Sequence, residues 1–166
     1  MTSTTSPKLN PTGALDPNPE LQASADRWYE LPIRVQPHHT DYSGNVWHGH
    51  YLTWLETARV ECLRSLGIDF ADLVAMGCDL PVVEMSLKYH RSLRLGQEAI
   101  VKTRLIQTKG VRMHWDYAIS PLESSELYLT GRVTLVAVDR EKGKIMRKLP
   151  PRVSEALNWF SQPTDA

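Results

Sequence analysis

Between His38 and His50 the chain crowds four of its six histidines around a single aspartate, Asp41. Such residue types serve three chemistries: a metal site, catalysis by the carboxylate, or a polar loop that caps a helix. A metal site needs convergent ligands. His38 and His39 are adjacent and would point apart in an extended segment, His48 and His50 flank a glycine, and no further Cys or His lies nearby in sequence. The metal reading is therefore set aside. Asp41 stands just ahead of "HYLTWLETARVECLRSLG", which reads as a helix. The first amides of a helix have no intrahelical partners, and its dipole makes that end partially positive. A carbonyl placed there is polarised, as acyl transfer requires. A carboxylate shortly before that end can attack the carbonyl or activate a water.

Asp41 also has a bland job open to it, as an N-cap or Asx-turn residue. Asn45 and Ser43 stand closer to the helix start and are better placed as caps. His48 reads as a polar group facing the site, and His50 as cover for the helix start. Glu56 lies one turn into the helix, positioned to reach the site or brace the loop. It is three residues before Arg59, as Glu61 is before Arg64, and the latter spacing reads as a surface ion pair. Cys62, mid-helix among apolar neighbours, lacks a base and is a poor nucleophile. The sequence has no GxGxxG, no P-loop and no GxSxG.

These residues need elements to hold them. Residues 1–26 are rich in Ser, Thr, Pro and Asn, which reads as a mobile tail ahead of one domain over 27–166. "LPIRVQ" alternates as a first strand. In "PVVEMSLKYH" Val83, Met85, Leu87 and Tyr89 share one face. "AIVKTRLIQT" is a third strand, less clean because Ile100 and Ile106 fall on its polar face. "VRMHWDYAIS" is the sharpest, with Val111, Met113, Trp115, Tyr117 and Ile119 against polar neighbours. "LYLTGRVTLVAVD" makes a fifth. The links "LRLGQ", "KG" and "PLESSE" support hairpins, and alternation marks an antiparallel sheet.

The helix carries Leu52, Leu55, Ala58, Cys62 and Leu66 at spacings of three and four, and stops at Gly67. Tyr51, Trp54, Val60 and Leu63 widen its apolar surface, so it is expected to be largely enclosed. A short helix follows near Asp69–Met76, "EKGK" turns the chain, and "PPRVSEALNWF" starts a last helix at a proline. An α+β domain follows, in which an antiparallel sheet of about five strands wraps one long central helix. That is the hotdog arrangement. One layer of it leaves a sheet edge open, so pairing of two copies is expected.

Composition narrows the partners. Lys and Arg total 19 and Asp and Glu total 19, so a formal charge of zero argues against nucleic acid. No apolar run is long enough to span a bilayer, and the start lacks the apolar core of a secretory signal. Two cysteines without a CxxC suggest no disulfide framework, and the expected setting is the cytoplasm.

The stretch also resembles the hydroxybenzoyl-CoA thioesterase branch of the hotdog superfamily, including the Tol-Pal-associated acyl-CoA thioesterases. It matches that family's pattern without a gap at Thr40, Asp41, Gly44, Val46, His48, Tyr51, Glu56, Ala58, Arg59, Glu61, Leu63 and Arg64. The similarity in layout covers about residues 30 to 155. The resemblance implies hydrolysis of an acyl-CoA or aroyl-CoA thioester, without cofactor or metal. Asp41 would be nucleophile or general base, with His48 and Gly49 at the oxyanion hole and Tyr51, Glu56 and Arg59 supporting them. It implies a dimer or tetramer, a homotetramer being the expected assembly, with the site between subunits. CoA phosphates call for cations, and Lys88, His90, Arg91 and Arg94 cluster on and after the second strand, with Arg112 outlying. The chain departs from its relatives at His39, where many carry an acid, at Pro37, where some carry a tyrosine, and at Tyr42 and Ser43, which replace Ala-Gly. Two rivals stay open: a hotdog hydratase or dehydratase, and a non-catalytic acyl-CoA-binding module.

Overall fold

The computed structural model describes residues 28–124 and 126–161. The tail expected over 1–26 lies outside the described residues. From the first strand onward the alternation seen in sequence becomes one antiparallel sheet. Its strands are β1 (Tyr29–Arg34), β3 (Val82–Tyr89), β4 (Glu98–Lys109), β5 (Arg112–Ser120) and β6 (Leu129–Val136), in the order β1-β4-β5-β6-β3. Helix α1 (His50–Ser65) lies across its inner face, packed on β4 and β1. A short helix α2 (Phe70–Ala75) follows, with Asp69 capping it by accepting the Ala71 amide at 2.9 Å.

The period-2 pattern decides which side chains meet the helix. Register pairs Val101 with Ile119, Thr103 with Tyr117, Leu105 with Trp115 and Trp115 with Val133, so these side chains share the inner face. All are buried, as are Tyr51, Trp54, Leu55, Ala58, Cys62 and Leu63 of α1. Burying each large apolar side chain stabilises the fold by about 1.5–3 kcal/mol. Trp115 is fully enclosed, and truncating such a residue to Ala costs about 3–5 kcal/mol.

Three expectations are corrected. Helix α1 is not largely enclosed: Leu52, Thr53, Glu56 and Thr57 are exposed. Its buried stripe runs through Tyr51 and Trp54 rather than Leu52, because the two aromatic rings bring more apolar area to the sheet. Strand β3 has no buried face in the single chain, since it forms the sheet edge while α1 lies mainly over β4 and β1 and touches β3 near its own start, through Tyr51 against Tyr89. Met85 and Tyr89 are nearly half exposed despite pointing inward. The fifth strand, finally, is two. After Val136 the chain bends into β7 (Val138–Asp139), which joins β2 (Cys78–Asp79) and β8 (Lys144–Ile145) in a small second sheet. The last helix, α3 (Pro151–Ser161), begins at a proline as expected and buries Val153 and Leu157.

Candidate active site

Asp41 opens a tight hairpin between β1 and α1. A bridge pairs Thr40 with Val46, the Asp41 amide donates to the Asn45 carbonyl at 2.7 Å, and the Gly44 amide donates to the Asp41 carbonyl at 3.1 Å. Gly44 has φ 80°, the left-handed region that glycine enters without strain. The carboxylate closes an Asx turn, in which Oδ1 accepts the Ser43 amide at 2.8 Å and the Asn45 amide at 3.2 Å. Oδ2 has no hydrogen-bond partner among the described residues. The side chain is half-buried, so the turn aims one carboxylate oxygen while the other stays available. Both jobs considered for Asp41 are thus compatible: the Asx turn holds the group and does not consume it.

The hairpin runs directly into the helix start. The Trp47 amide donates to His39 O at 3.0 Å, and the His50 amide donates to Trp47 O at 2.8 Å. Between them, the His48 and Gly49 amides make no backbone hydrogen bond among the described residues. They sit where the macrodipole supplies about half a positive charge. Gly49 is the N-cap position. A Cβ there would lie 2.3 Å from the Trp47 ring, so the glycine lets the indole cover the helix start. The His48 side chain is exposed, beside the Trp47 ring.

Two residues not assigned from sequence support this corner. The Tyr89 hydroxyl donates to the His48 carbonyl at 2.8 Å. In a trans peptide the N–H points opposite to the C=O, so this bond orients the Gly49 amide. Tyr89 had shown only as one of the inward residues of an alternating strand. Trp47 offered a weak signal, an aromatic two positions before a glycine.

The loop between β3 and β4 closes the site from behind. The Val46 amide donates to Leu93 O at 2.8 Å, the Leu95 amide donates to Gly44 O at 3.0 Å, and a bridge joins Asn45 to Arg94. The buried Tyr51 hydroxyl accepts the Leu93 amide at 3.1 Å. Burial raises the Tyr51 phenol above its ordinary value, against the Leu93 bond that lowers it. Tyr51 thus supports the site by tethering this loop to the helix.

The other expected residues disperse. Glu56 is exposed and has no hydrogen bond or ion pair among the described residues, the loop ahead of the helix included. Its neighbour Arg59 points the other way. It is buried under α1 and donates from Nη1 to the Tyr117 hydroxyl at 2.7 Å, while its Nε lacks a partner. The Glu61–Arg64 surface pair does form, at 2.9 Å. Among the basic candidates only Arg94 stands beside the Asp41 hairpin. Lys88 lies on the opposite face of β3, His90 follows the strand's end with its ring against the Thr130 hydroxyl at 2.8 Å, and Arg91 is paired with Glu126. Arg112 is exposed at the far end of β5. Burial pushes the Cys62 thiol up to about 12, which removes the thiolate at neutral pH.

The histidines do not point apart. Pro37 starts a 3-10 turn over Pro37–His39 in place of extended chain. The His39 ring meets His38 at 4.1 Å and His50 at 4.4 Å between centroids, with Trp54 5.1 Å away. They meet as tilted and edge-on rings. Among the described residues no group of three His, Cys, Asp or Glu side chains is arranged to hold a metal ion, and no helix there is long and apolar enough to cross a membrane.

Residues 35–160 match the family model of the thioesterase-like superfamily. Over 138 residues, 83% of each chain, the sequence is 61% identical to a protein of Synechocystis sp. that carries an esterase name. It is 30% identical over 127 residues to the acyl-CoA thioester hydrolase YbgC of Escherichia coli, covering 76% of this chain and 91% of that one. Among solved structures it is similar to the DHNA-CoA thioesterase of Staphylococcus aureus. There the TM-score is 0.73 at 28% identity, over 79% of this chain and 89% of the other.

Proposed function

The chain belongs to the thioesterase-like superfamily and is a thioester hydrolase of hotdog fold; we propose that it cleaves acyl-CoA with Asp41 as the reacting carboxylate. The observation that carries this reading is that the Asp41 hairpin runs directly into the helix start, where the His48 and Gly49 amides make no hydrogen bond among the described residues. Asp41 Oδ2 has no hydrogen-bond partner among the described residues, and the His48 and Gly49 amides stand at the positive end of α1. A thioester carbonyl seated against those amides is polarised. The tetrahedral oxyanion draws more from them than the ground-state carbonyl does, so they lower the barrier rather than merely bind. Asp41 then attacks the carbonyl carbon, or takes a proton from the attacking water. The CoA thiolate leaves and water supplies the acid's second oxygen. No metal takes part. Tyr89 orients the Gly49 amide, Tyr51 holds the loop behind Asp41, and Arg94 stands nearest for a CoA phosphate.

We infer that the hydrolysing unit is a dimer paired through β3, by itself or as half of a tetramer. That edge is long, and Val82, Val83, Met85 and Tyr89 are exposed along it. An unpaired edge of this kind invites a second strand, and Tyr89 places it next to the helix start. The names of YbgC and of the S. aureus protein support CoA as the carrier and, with it, a cytoplasmic setting. The test is thiol release from a panel of aliphatic and aryl CoA thioesters by wild type and Asp41→Asn. The wild type is expected to turn over part of the panel and the variant to lose that turnover. Saturable binding without thiol release would instead identify a binding module, and a change at the double bond without free thiol a hydratase.

A further inference from the structure

We infer that His39 is a positioning residue for the Asp41 hairpin, acting in its neutral form as the acceptor that closes the turn at Gln36. The inference rests on the reading of Asp41 as the reacting carboxylate. The Gln36 amide donates to His39 Nδ1 at 2.9 Å, which puts the ring's own proton on Nε2. The His39 carbonyl meanwhile accepts the Trp47 amide at 3.0 Å, next to the Thr40–Val46 bridge. One residue therefore ties the entry of the turn to the exit of the hairpin. Its place, third in a turn that Gln36 caps, is the one from which Glu or Gln usually reaches back to the cap amide. A histidine does the same with a group that titrates near neutrality.

The surroundings favour the neutral ring. His38 faces it from the same turn, and His50 and Trp54 face it from α1. The charges acting on His39 are those of His50 and His38, and none of the three rings has a carboxylate in ion-pair range among the described residues. Burial first, and then these two neighbours, hold His39 below its ordinary value of 6.5. When a solvent proton does arrive at Nδ1, that atom becomes a donor facing the Gln36 N–H. That side-chain bond breaks and the cluster gains a charge with no anion beside it; the backbone bonds from His39 N–H to Gln36 O at 3.0 Å and from Trp47 N–H to His39 O at 3.0 Å remain, so the turn leading into the hairpin is loosened rather than undone. Activity should then fall on the acid side with the titration of His39.

The test measures kcat and KM for acyl-CoA hydrolysis, by loss of thioester absorbance, between about pH 5 and pH 9, a range that spans histidine titration. Wild type is compared with His39→Gln, His39→Leu and Asp41→Asn, alongside an NMR titration of the wild-type imidazoles. Gln can accept the Gln36 amide and cannot titrate. It is expected to keep kcat within about threefold of wild type at high pH and to move the acid limb down by about one unit or more. Leu, which accepts nothing, should lower kcat about tenfold across the range with KM little changed, as loss of alignment does. The wild-type limb should coincide with the His39 titration, a readout that survives if the Leu variant fails to fold. A Gln variant with the wild-type limb, a Leu variant with wild-type kcat, or a limb that does not follow His39 overturns the inference. Those results with an inactive Asp41→Asn leave the catalytic reading standing. A fully active Asp41→Asn removes both.

Discussion

Asp41 gives one carboxylate oxygen to two backbone amides, at 2.8 Å from Ser43 and 3.2 Å from Asn45, and its other oxygen has no hydrogen bond among the described residues. At this scale the account depends on single hydrogen bonds, and each can be removed. Tyr89→Phe deletes the donor to the His48 carbonyl and frees the peptide that presents the Gly49 amide. Losing an oxyanion donor outright costs about a hundredfold or more in kcat. Losing a group that only orients one should cost about three- to tenfold, with KM steady, in steady-state thiol-release assays. Arg59 and Tyr117 make a second, unrelated case. Tyr117→Phe leaves a buried guanidinium without the acceptor at 2.7 Å, at a cost of about 1.5–3 kcal/mol in urea denaturation. Arg59→Met, which removes the charge and fills the space, should cost less. The place of Asp41, in a turn just ahead of α1, was legible because a carboxylate, a glycine and a helix start stood in order. Tyr89 was not, because an alternating strand shows which face a residue takes and not which carbonyl its hydroxyl reaches.

Strands and helices were legible where burial is one-sided and long. Met113, Trp115, Tyr117 and Ile119 of β5 alternate without a break, and all four are buried. The short strands of the second sheet were invisible, since two residues carry no period. The exposure of β3 was hidden for a different reason: Val83, Met85, Leu87 and Tyr89 repeat as if buried, but α1 lies mainly over β4 and β1. The same pattern is what a subunit interface would write into a strand. If β3 pairs with a second copy, Met85→Lys should turn a dimer into a monomer in sedimentation velocity and lower kcat, because the helix start lies beside that edge. A monomeric wild type, or a dimer unaffected by the charge, would remove β3 as the interface. The histidine contacts escaped the sequence because Pro37 starts a 3-10 turn where extended chain was expected.

For the whole molecule, acid is the informative perturbation. His39 and His50 both sit below the ordinary value of 6.5, burial being the larger cause for each. The unfolded chain takes up protons near 6.5, and the folded cluster takes them up only at lower pH. Its contribution to stability is therefore full above the ordinary value and is lost as pH falls through the folded one. The urea midpoint should drop on acidification below pH 6.5, and His39→Gln should shrink the drop. The role of the Asp41 carboxylate can be checked more directly. Asp41→Asn keeps an oxygen to accept the Ser43 and Asn45 amides, so the hairpin stands while the charge goes. With a CoA thioester the wild type hydrolyses, kcat should fall by about a hundredfold or more, with KM and the urea midpoint little changed. A variant whose kcat stays within about threefold of wild type would contradict the account, because the reacting group would then not be Asp41.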